Sequence, residues 1–406
     1  MTWEDRTACA DLRRLVEAES KTGDLPALRH CAAVLSEIGS RILGPAAQAR
    51  TVDSPAGPIL QWRIGAPPWN VGLIGHYDTV HPVGTLAEWP FTVEGMVARG
   101  PGVHDMKAGI LTILYGVAAA MAADPAGLDG IVIHLCPDEE EGSRWSRGEL
   151  AALRDAGLRV AAVFEGDDTS GGSVVTQRKS GLWVDVRFSG RSAHGSRPEL
   201  GSNALLALAD YTARLPGLAD PVLETTVVPT RAASGTAINT VPEASVLTVD
   251  CRTITQAEQD RVLAGLSALG TSVAGVGIEV TILHMFPPMD SVMSAPVYRA
   301  LREAAESAGL NPPRNAGGNG ISDASHLSAM GVWVIDGLGP TGGGDHSDEE
   351  WVDLASMKER IALTAAAIPA LSRVARAAPA PGADESPWPR DQVQAQHDRR
   401  SANVVA

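Results

Sequence analysis

Three continuous apolar runs in the first half of the chain each lead directly into polar residues. The runs occupy residues 71–74, 130–135 and 160–164, and the polar residues beyond them are His76, Glu139, Glu140 and Glu165. Short apolar runs without alternation are typical of parallel strands that are buried on both faces. Ligands of open α/β sheets bind at the carboxyl ends of such strands. The sequence therefore predicts an α/β fold with an open, mostly parallel sheet and a site at its carboxyl edge.

The hydrophobic pattern changes near Lys179, which predicts a second domain. From there apolar and polar residues alternate, and the predicted elements follow the βαββαβ order of a ferredoxin-like α+β domain. A chain of 406 residues also exceeds one ordinary core. We predict a discontinuous α/β domain over 1–178 and 292–377, an inserted domain over 179–291, and a disordered tail over 378–406, which is rich in Pro, Ala, Gln and charge.

Composition limits the classes of partner and the cellular compartment that we expect for this chain. The formal charge of −15 argues against nucleic acid, because phosphates attract a basic surface. The four cysteines lack zinc-finger or disulfide spacing and are expected to be reduced thiols. No signal-peptide pattern is present, and the longest apolar stretch, which ends near Met121, is predicted to be too short to span a bilayer. We therefore expect a cytoplasmic protein with no membrane partner.

Asp105 lies where a glycine- and proline-rich loop, ARGPGVHDMKAG, enters an apolar helix predicted over 107–123. A carboxylate held at such a junction can bridge two cations, because each oxygen can bind one metal. The alternative role for Asp105 is an N-cap for the helix. The residue types alone leave both roles open.

The other polar residues give weaker signals of the same kind. His76 and Asp78 form an H-x-D pair in which the carboxylate can orient a metal-binding imidazole, and a loop histidine beside a turn aspartate is the alternative. The three glutamates lie in acidic runs, so a solvated loop is their alternative. His346 follows three glycines, which let the backbone approach a ligand closely. Jointly, two histidines and three carboxylates would give two zinc ions mixed nitrogen and oxygen ligands, and the remaining glutamate would transfer protons.

Seven segments together resemble a known enzyme family. They are similar in order and spacing to the co-catalytic zinc family that contains glutamate carboxypeptidase, acetylornithine deacetylase, succinyl-diaminopimelate desuccinylase and aminoacylase. The segments are GHYDTV, GPGVHDMKAG, DEEEGS, FEGDD, GRSAHG, INTVP and GGGDHSDEE. The resemblance covers roughly residues 5–375, and the run DTVHPVGTLAEWPF looks most like the glutamate carboxypeptidase branch.

The resemblance implies roles for individual residues. It implies one zinc on His76, Asp105 and Glu165, a second zinc on Asp105, Glu140 and His346, and Glu139 as general base. Whether cobalt or manganese replaces zinc stays open. His194 matches a histidine that reaches the partner subunit's site in dimeric relatives, and Asn239 matches a residue near the substrate. The segment GGNGISDAS is similar to a substrate-lining loop, which predicts Asn319 and Ser322 beside the substrate. The inserted domain would then serve as lid and homodimer interface.

Two positions depart from the family pattern. Relatives commonly carry an arginine before the Pro-Pro pair, where this chain has Phe286, and a phenyl ring cannot grip a substrate carboxylate. Arg178 or its neighbour Lys179 could replace that arginine. His104 stands where relatives carry a small residue, so it either packs near the metals or faces solvent, and we expect the latter.

The leading hypothesis is a dizinc amidohydrolase that releases a C-terminal amino acid from a peptide or an N-acyl conjugate. The alternative is a deacylase of N-acyl amino acids or amines, which the missing arginine favours. A non-catalytic binding homologue is a third hypothesis. Degenerate homologues lose ligands, whereas all five ligand positions and Glu139 are intact in this chain.

Overall fold

The computed structural model describes residues 3–124, 128–166, 172–318 and 320–379. These residues form two compact units. Unit 1 comprises the chain up to Thr176, Ser291–Ala316 and the chain from Ser322 onward, and unit 2 comprises Gln177–Asp290 and Gly317–Ile321. Two sequence predictions, the role of Asn319 and the disorder of the tail from residue 380 onward, lie outside the described residues.

The first segment of unit 1 alternates helices with strands. Its helices are α1 (Trp3–Glu17), α2 (Leu25–Leu43), α3 (Thr85–Glu88), α4 (Ala108–Ala123) and α5 (Ser146–Asp155). Its strands are β1 (Ala47–Ser54), β2 (Gly57–Ile64), β3 (Val71–His76), β4 (Thr92–Glu94), β5 (Val97–Arg99), β6 (Ile131–Cys136), β7 (Val160–Val163) and β8 (Ser173–Arg178), whose last two residues belong to unit 2. Asp24 begins α2, because its side chain accepts the Ala27 N–H at 3.0 Å and Pro26 lies in the first turn.

Unit 2 is a four-stranded antiparallel sheet with two main helices. Its elements are β9 (Gly181–Ser189), β10 (Ala193–His194), α6 (Ala204–Arg214), β11 (Thr226–Ser234), β12 (Thr240–Val241), β13 (Ala244–Arg252), α7 (Gln256–Ala268) and β14 (Gly277–Phe286). The sheet order is β11-β13-β9-β14, so the larger elements follow the βαββαβ order expected from the sequence. Asn203 and Thr255 cap α6 and α7 with their side chains. Alternate residues of β9, such as Leu182 and Val184, are buried in the core of this unit.

The chain then returns to complete unit 1. This segment contains α8 (Ser291–Ser307), β15 (Arg314–Gly318), α9 (Asp323–Ala329), β16 (Trp333–Ile335), β17 (Gly342–Gly343), β18 (Trp351–Asp353) and α10 (Leu354–Ala377). The central sheet has the order β1-β2-β6-β3-β7-β16. Strands β6, β3, β7 and β16 are parallel, and β1 and β2 are antiparallel additions. The mixed α/β architecture with a mostly parallel sheet is confirmed, whereas the exposed polar strand β1 is missing from the sequence prediction.

Helix α4 is the central helix of the unit 1 core. Among the described residues, Val103–Ala123 is long and apolar enough to cross a membrane by length and composition alone, although its regular helix α4 begins only at Ala108, and Asp105 and Met106 have non-helical dihedrals. Burial explains why this stretch is so apolar, because 67% of its 18-residue apolar segment lies inside the fold. Most of its side chains, including Ile110, Leu114 and Val117, belong to the same core as the central sheet.

Candidate active site

The carboxyl ends of three parallel strands supply one side of the site in unit 1. Strand β3 ends at His76, a short turn after β6 carries Glu139 and Glu140, and Glu165 follows β7. These strands are neighbours in the sheet, so the polar residues that follow them are brought to one edge. Burial of the strands is complete, which fixes the positions from which these side chains project.

One candidate metal-binding group consists of His76, Asp105 and Glu165. Nε2 of His76 lies 3.0 Å from Oδ1 of Asp105 and 3.6 Å from Oε2 of Glu165. Nδ1 of the same ring lies 3.0 Å from the carbonyl oxygen of Asp78 and 3.3 Å from its carboxylate. A ring whose Nδ1–H donates to Asp78 presents its Nε2 lone pair to the group, as metal-binding histidines do.

A second candidate group consists of Asp105, Glu140 and His346. Nε2 of His346 lies 3.2 Å from Oδ2 of Asp105 and 3.2 Å from Oε2 of Glu140. His346 has a φ of 61°, a left-handed conformation that is uncommon outside glycine and is frequent at functional sites. The two oxygens of Asp105 thus face different groups, and this carboxylate joins them.

Asp105 is not the N-cap of α4. The helix begins at Ala108, no side chain caps it, and Asp105 has non-helical dihedrals of φ −110° and ψ 93°. The alternative role left open by the sequence is therefore wrong.

The ionisation of the cluster follows from its concentration of acids. Burial opposes ionisation of Asp105, but hydrogen bonds from His346 and His76 hold its pKa far below the ordinary value. Burial raises the pKa of Glu165 to about 7 and, with the nearby carboxylates, raises the pKa of Glu139 well above its usual range. Hydrogen bonds to Asp105 and Glu140 raise the pKa of His346 to about 10.

The residues present fit a pair of divalent cations. Each group offers one imidazole nitrogen and two carboxylates, a mixed donor set that suits zinc better than magnesium or calcium. The carboxylates of Asp105, Glu139, Glu140 and Glu165 carry four negative charges when ionised, which two divalent cations would neutralise. Oε1 of Glu165 is buried without a hydrogen-bond partner among the described residues, as expected of an oxygen reserved for a ligand.

Asp78 holds both glutamates of the β6 turn in place. Its Oδ1 accepts the Glu139 N–H at 3.2 Å and its Oδ2 accepts the Glu140 N–H at 3.3 Å. The Thr22 hydroxyl donates to Oδ2 at 2.9 Å. Because Asp78 also contacts His76, one buried carboxylate orients residues from both strand ends.

Glu350 is a buried acid that the sequence analysis missed. Its Oε1 accepts the N–H groups of His104 (2.7 Å) and Asp105 (3.0 Å), and its Oε2 accepts the Gly102 N–H at 2.8 Å. Nε2 of His81 lies 3.0 Å from Oε2. Three convergent N–H groups explain how this carboxylate can be fully buried, and together they fix the loop that carries Asp105.

Two sequence predictions at the edge of the site are wrong. His104, expected to face solvent, is 1% exposed, because its ring fits against residues from two other loops. Ser322, expected to line the substrate site, is buried at the start of α9, where its hydroxyl bonds Asp336 and caps the Ala324 N–H. Its neighbour Asp323 accepts the Ser143 hydroxyl, and burial raises the pKa of Asp323 to about 6.

The remaining predicted residues lie in unit 2. His194 is exposed, and its Nδ1 lies 2.8 Å from the Ser196 hydroxyl oxygen. Asn239 is exposed, and its carbonyl oxygen accepts the Gly195 N–H at 2.8 Å. Arg178 is 8% exposed and its Nη1 donates to the Gly320 carbonyl oxygen at 3.2 Å.

Two adjoining ligand groups that share a carboxylate, at the carboxyl edge of an α/β sheet, define a candidate co-catalytic metal hydrolase. The sequence model of peptidase family M20/M25/M40 matches residues 72–370. The chain belongs to this family, which confirms the recognised resemblance. It is therefore an enzyme of the metallopeptidase and amidohydrolase class, as the sequence predicted.

Individual relatives cover most of the chain. It is 28% identical over 383 residues to carboxypeptidase G2 of Pseudomonas sp. strain RS-16, covering 90% of this chain and 89% of the relative. A putative succinyl-diaminopimelate desuccinylase of Mycobacterium tuberculosis is 27% identical over 278 residues, which are 66% of this chain and 73% of that protein. Aminopeptidase PepT from Bacillus cereus has a similar structure, with a TM-score of 0.73 at 18% identity and coverage of 91% and 99%. At that identity the structural likeness concerns the fold alone.

Proposed function

We propose that the protein hydrolyses an amide bond and releases a C-terminal amino acid from a peptide or an N-acyl conjugate. The observation that carries this proposal is the sharing of Asp105 by two ligand groups with Glu139 beside them. The similarity to carboxypeptidase G2 supports cleavage at a C-terminal residue. We further propose zinc as the metal at both groups, because each combines imidazole with carboxylates.

The chain's own residues account for binding and proton transfer. His76, Glu165, Glu140 and His346 would hold the two cations, with Asp105 between them. Bound zinc supplies Lewis acidity, lowering the pKa of water and polarising a carbonyl group. Glu139 is assigned as the general base, because its raised pKa suits it to accept a proton from water and to donate it to the leaving nitrogen. Asp78 positions Glu139 through the backbone N–H at 3.2 Å.

We also propose that the protein is a homodimer formed through unit 2. Strand β11 is an edge strand whose residues are mostly exposed, and such an edge can pair with a second copy. Leu200, Leu205 and Leu206 in the same unit are 54%, 45% and 57% exposed. His194 would then act at the partner's site, and Asn239 and Arg178 would contact the substrate.

A deacylase of N-acyl amino acids or amines is a second candidate, favoured by the surroundings of Phe286. Its ring packs edge-on against Trp183 at 5.6 Å and is nearly parallel to His284. The two basic side chains that could replace an arginine at this position already have partners within unit 2. Arg178 donates to Gly320, and Lys179 lies 3.2 Å from Glu224. These contacts favour substrates whose carboxylate is absent or is bound elsewhere.

The test is a panel of substrates assayed with metal-free and zinc-loaded protein. N-acyl amino acids and dipeptides are compared with the corresponding α-carboxamides, and released amine is quantified by mass spectrometry. Cleavage that requires both zinc and a free α-carboxylate supports the carboxypeptidase assignment. Equal cleavage of the carboxamides supports the deacylase, and full activity of metal-free protein contradicts both.

A further inference from the structure

His104 is a buried imidazole that the proposed mechanism does not use. It directly precedes Asp105, and its backbone N–H donates to Glu350 at 2.7 Å. Its Nδ1 lies 2.5 Å from Oδ1 of Asp345, the residue immediately before His346. The ring therefore connects the loop that carries the shared carboxylate to the loop that carries the ligand histidine of the second group.

The rest of the ring fills space that two glycines leave open. A Cβ at Gly166 would overlap the imidazole, and its three nearest atoms would be Nε2, Cε1 and Cδ2 of His104. A Cβ at Gly342 would overlap the same ring and also the carbonyl oxygen of Trp351. Neither glycine has a positive φ, so space rather than backbone conformation requires glycine at both positions. Gly166 directly follows Glu165, so the ring also contacts a third ligand-bearing loop.

We propose that His104 is a positioning residue whose imidazole sets the spacing of the loops that carry Asp105, Glu165 and His346. This inference rests on the proposed function, because those side chains are its ligands. Nε2 of His104 has no hydrogen-bond partner among the described residues, and on that side the ring acts through its volume. Replacing residues that orient metal ligands typically lowers metal affinity by about 10- to 100-fold.

The experiment uses the complementary volumes of His104 and Gly166. His104→Ala, Gly166→Ala and the double variant are prepared metal-free, and Zn²⁺ affinity is measured by competition with a chromophoric chelator. The Co²⁺ absorption spectrum reports ligand geometry, and thermal melting of the metal-free proteins reports folding. We expect His104→Ala to lose about 10- to 100-fold in affinity and Gly166→Ala to lose more, because its added methyl group overlaps the ring. The double variant should match His104→Ala, because removal of the ring makes room for the added methyl group.

Gly342→Ala is the matched control. It should stay impaired with or without His104→Ala, because the Trp351 carbonyl oxygen still occupies the space. A His104/Gly166 double variant as impaired as Gly166→Ala, in affinity or in folding, overturns the inference. Wild-type affinity and an unchanged Co²⁺ spectrum in His104→Ala also overturn it. Wild-type protein that binds neither Zn²⁺ nor Co²⁺ would instead contradict the proposed function. Failure of the proposed function and failure of this inference are therefore distinguishable.

Discussion

Replacement of Glu350 with alanine should destabilise the metal-free protein by about 3–5 kcal/mol. The carboxylate is fully buried and accepts backbone N–H groups of Gly102, His104 and Asp105 at 2.7–3.0 Å. Each buried donor left without an acceptor costs about 1–3 kcal/mol. Water that enters the space left by the side chain would accept some of these hydrogen bonds. We therefore expect a total in the lower half of the range obtained by adding the costs of the three donors.

Equilibrium urea unfolding followed by tryptophan fluorescence measures this change. Glu349→Ala is the matched control, because it removes the neighbouring exposed acid and should stay within about 0.5 kcal/mol of wild type. The same loss should loosen Asp105 and lower zinc affinity, which a chelator competition detects. A Glu350→Ala variant that loses less than about 1 kcal/mol and binds zinc normally would refute the assigned role of the carboxylate.

Three further predictions concern catalysis, acid stability and assembly. Glu139→Gln should lower kcat by at least about 100-fold with metal content unchanged by mass spectrometry, and unchanged turnover would exclude Glu139 as the base. Burial lowers the pKa of His134 to about 3, so the folded state binds this proton more weakly than the unfolded state. Stability should fall as pH drops below about 6.5, by up to about 5 kcal/mol near pH 3. In His134→Gln, the urea midpoint should depend less on pH over that range than it does in wild type. The same pH dependence in both proteins would contradict the assignment. Leu206→Asp should yield monomers in light scattering, whereas a persistent dimer would place the interface elsewhere.

The parts of the fold that sequence could predict are those dominated by burial. Strands β3, β6 and β7 are buried on both faces, so their composition is continuously apolar and their ends are evident. The same regularity placed His76 and Glu165 at one edge before any geometry was known. Strand β1 was missed because most of its residues are exposed and polar, and its pairing with β2 rather than its composition makes it a strand.

The missed residues depend on contacts between distant parts of the chain. Glu350 lies in an acidic run that looks solvated, and only the three N–H groups of the Asp105 loop account for its burial. His104 looks like a solvent-facing loop residue until the space beside Gly166 and Gly342 is known. Ser322 matched a substrate-loop pattern, but its place at the start of α9 beside Asp336 uses its hydroxyl within the fold.

The division of unit 1 by unit 2 has a consequence for biosynthesis. His76, Asp105 and Glu165 are translated before unit 2, whereas His346 and strand β16 are translated after it. Domains generally fold as units while the ribosome proceeds, so unit 2 can finish folding while unit 1 still lacks one of its two edge strands and one ligand. A nascent chain therefore cannot assemble the second metal group, and hydrolytic competence would arise only when synthesis is nearly complete.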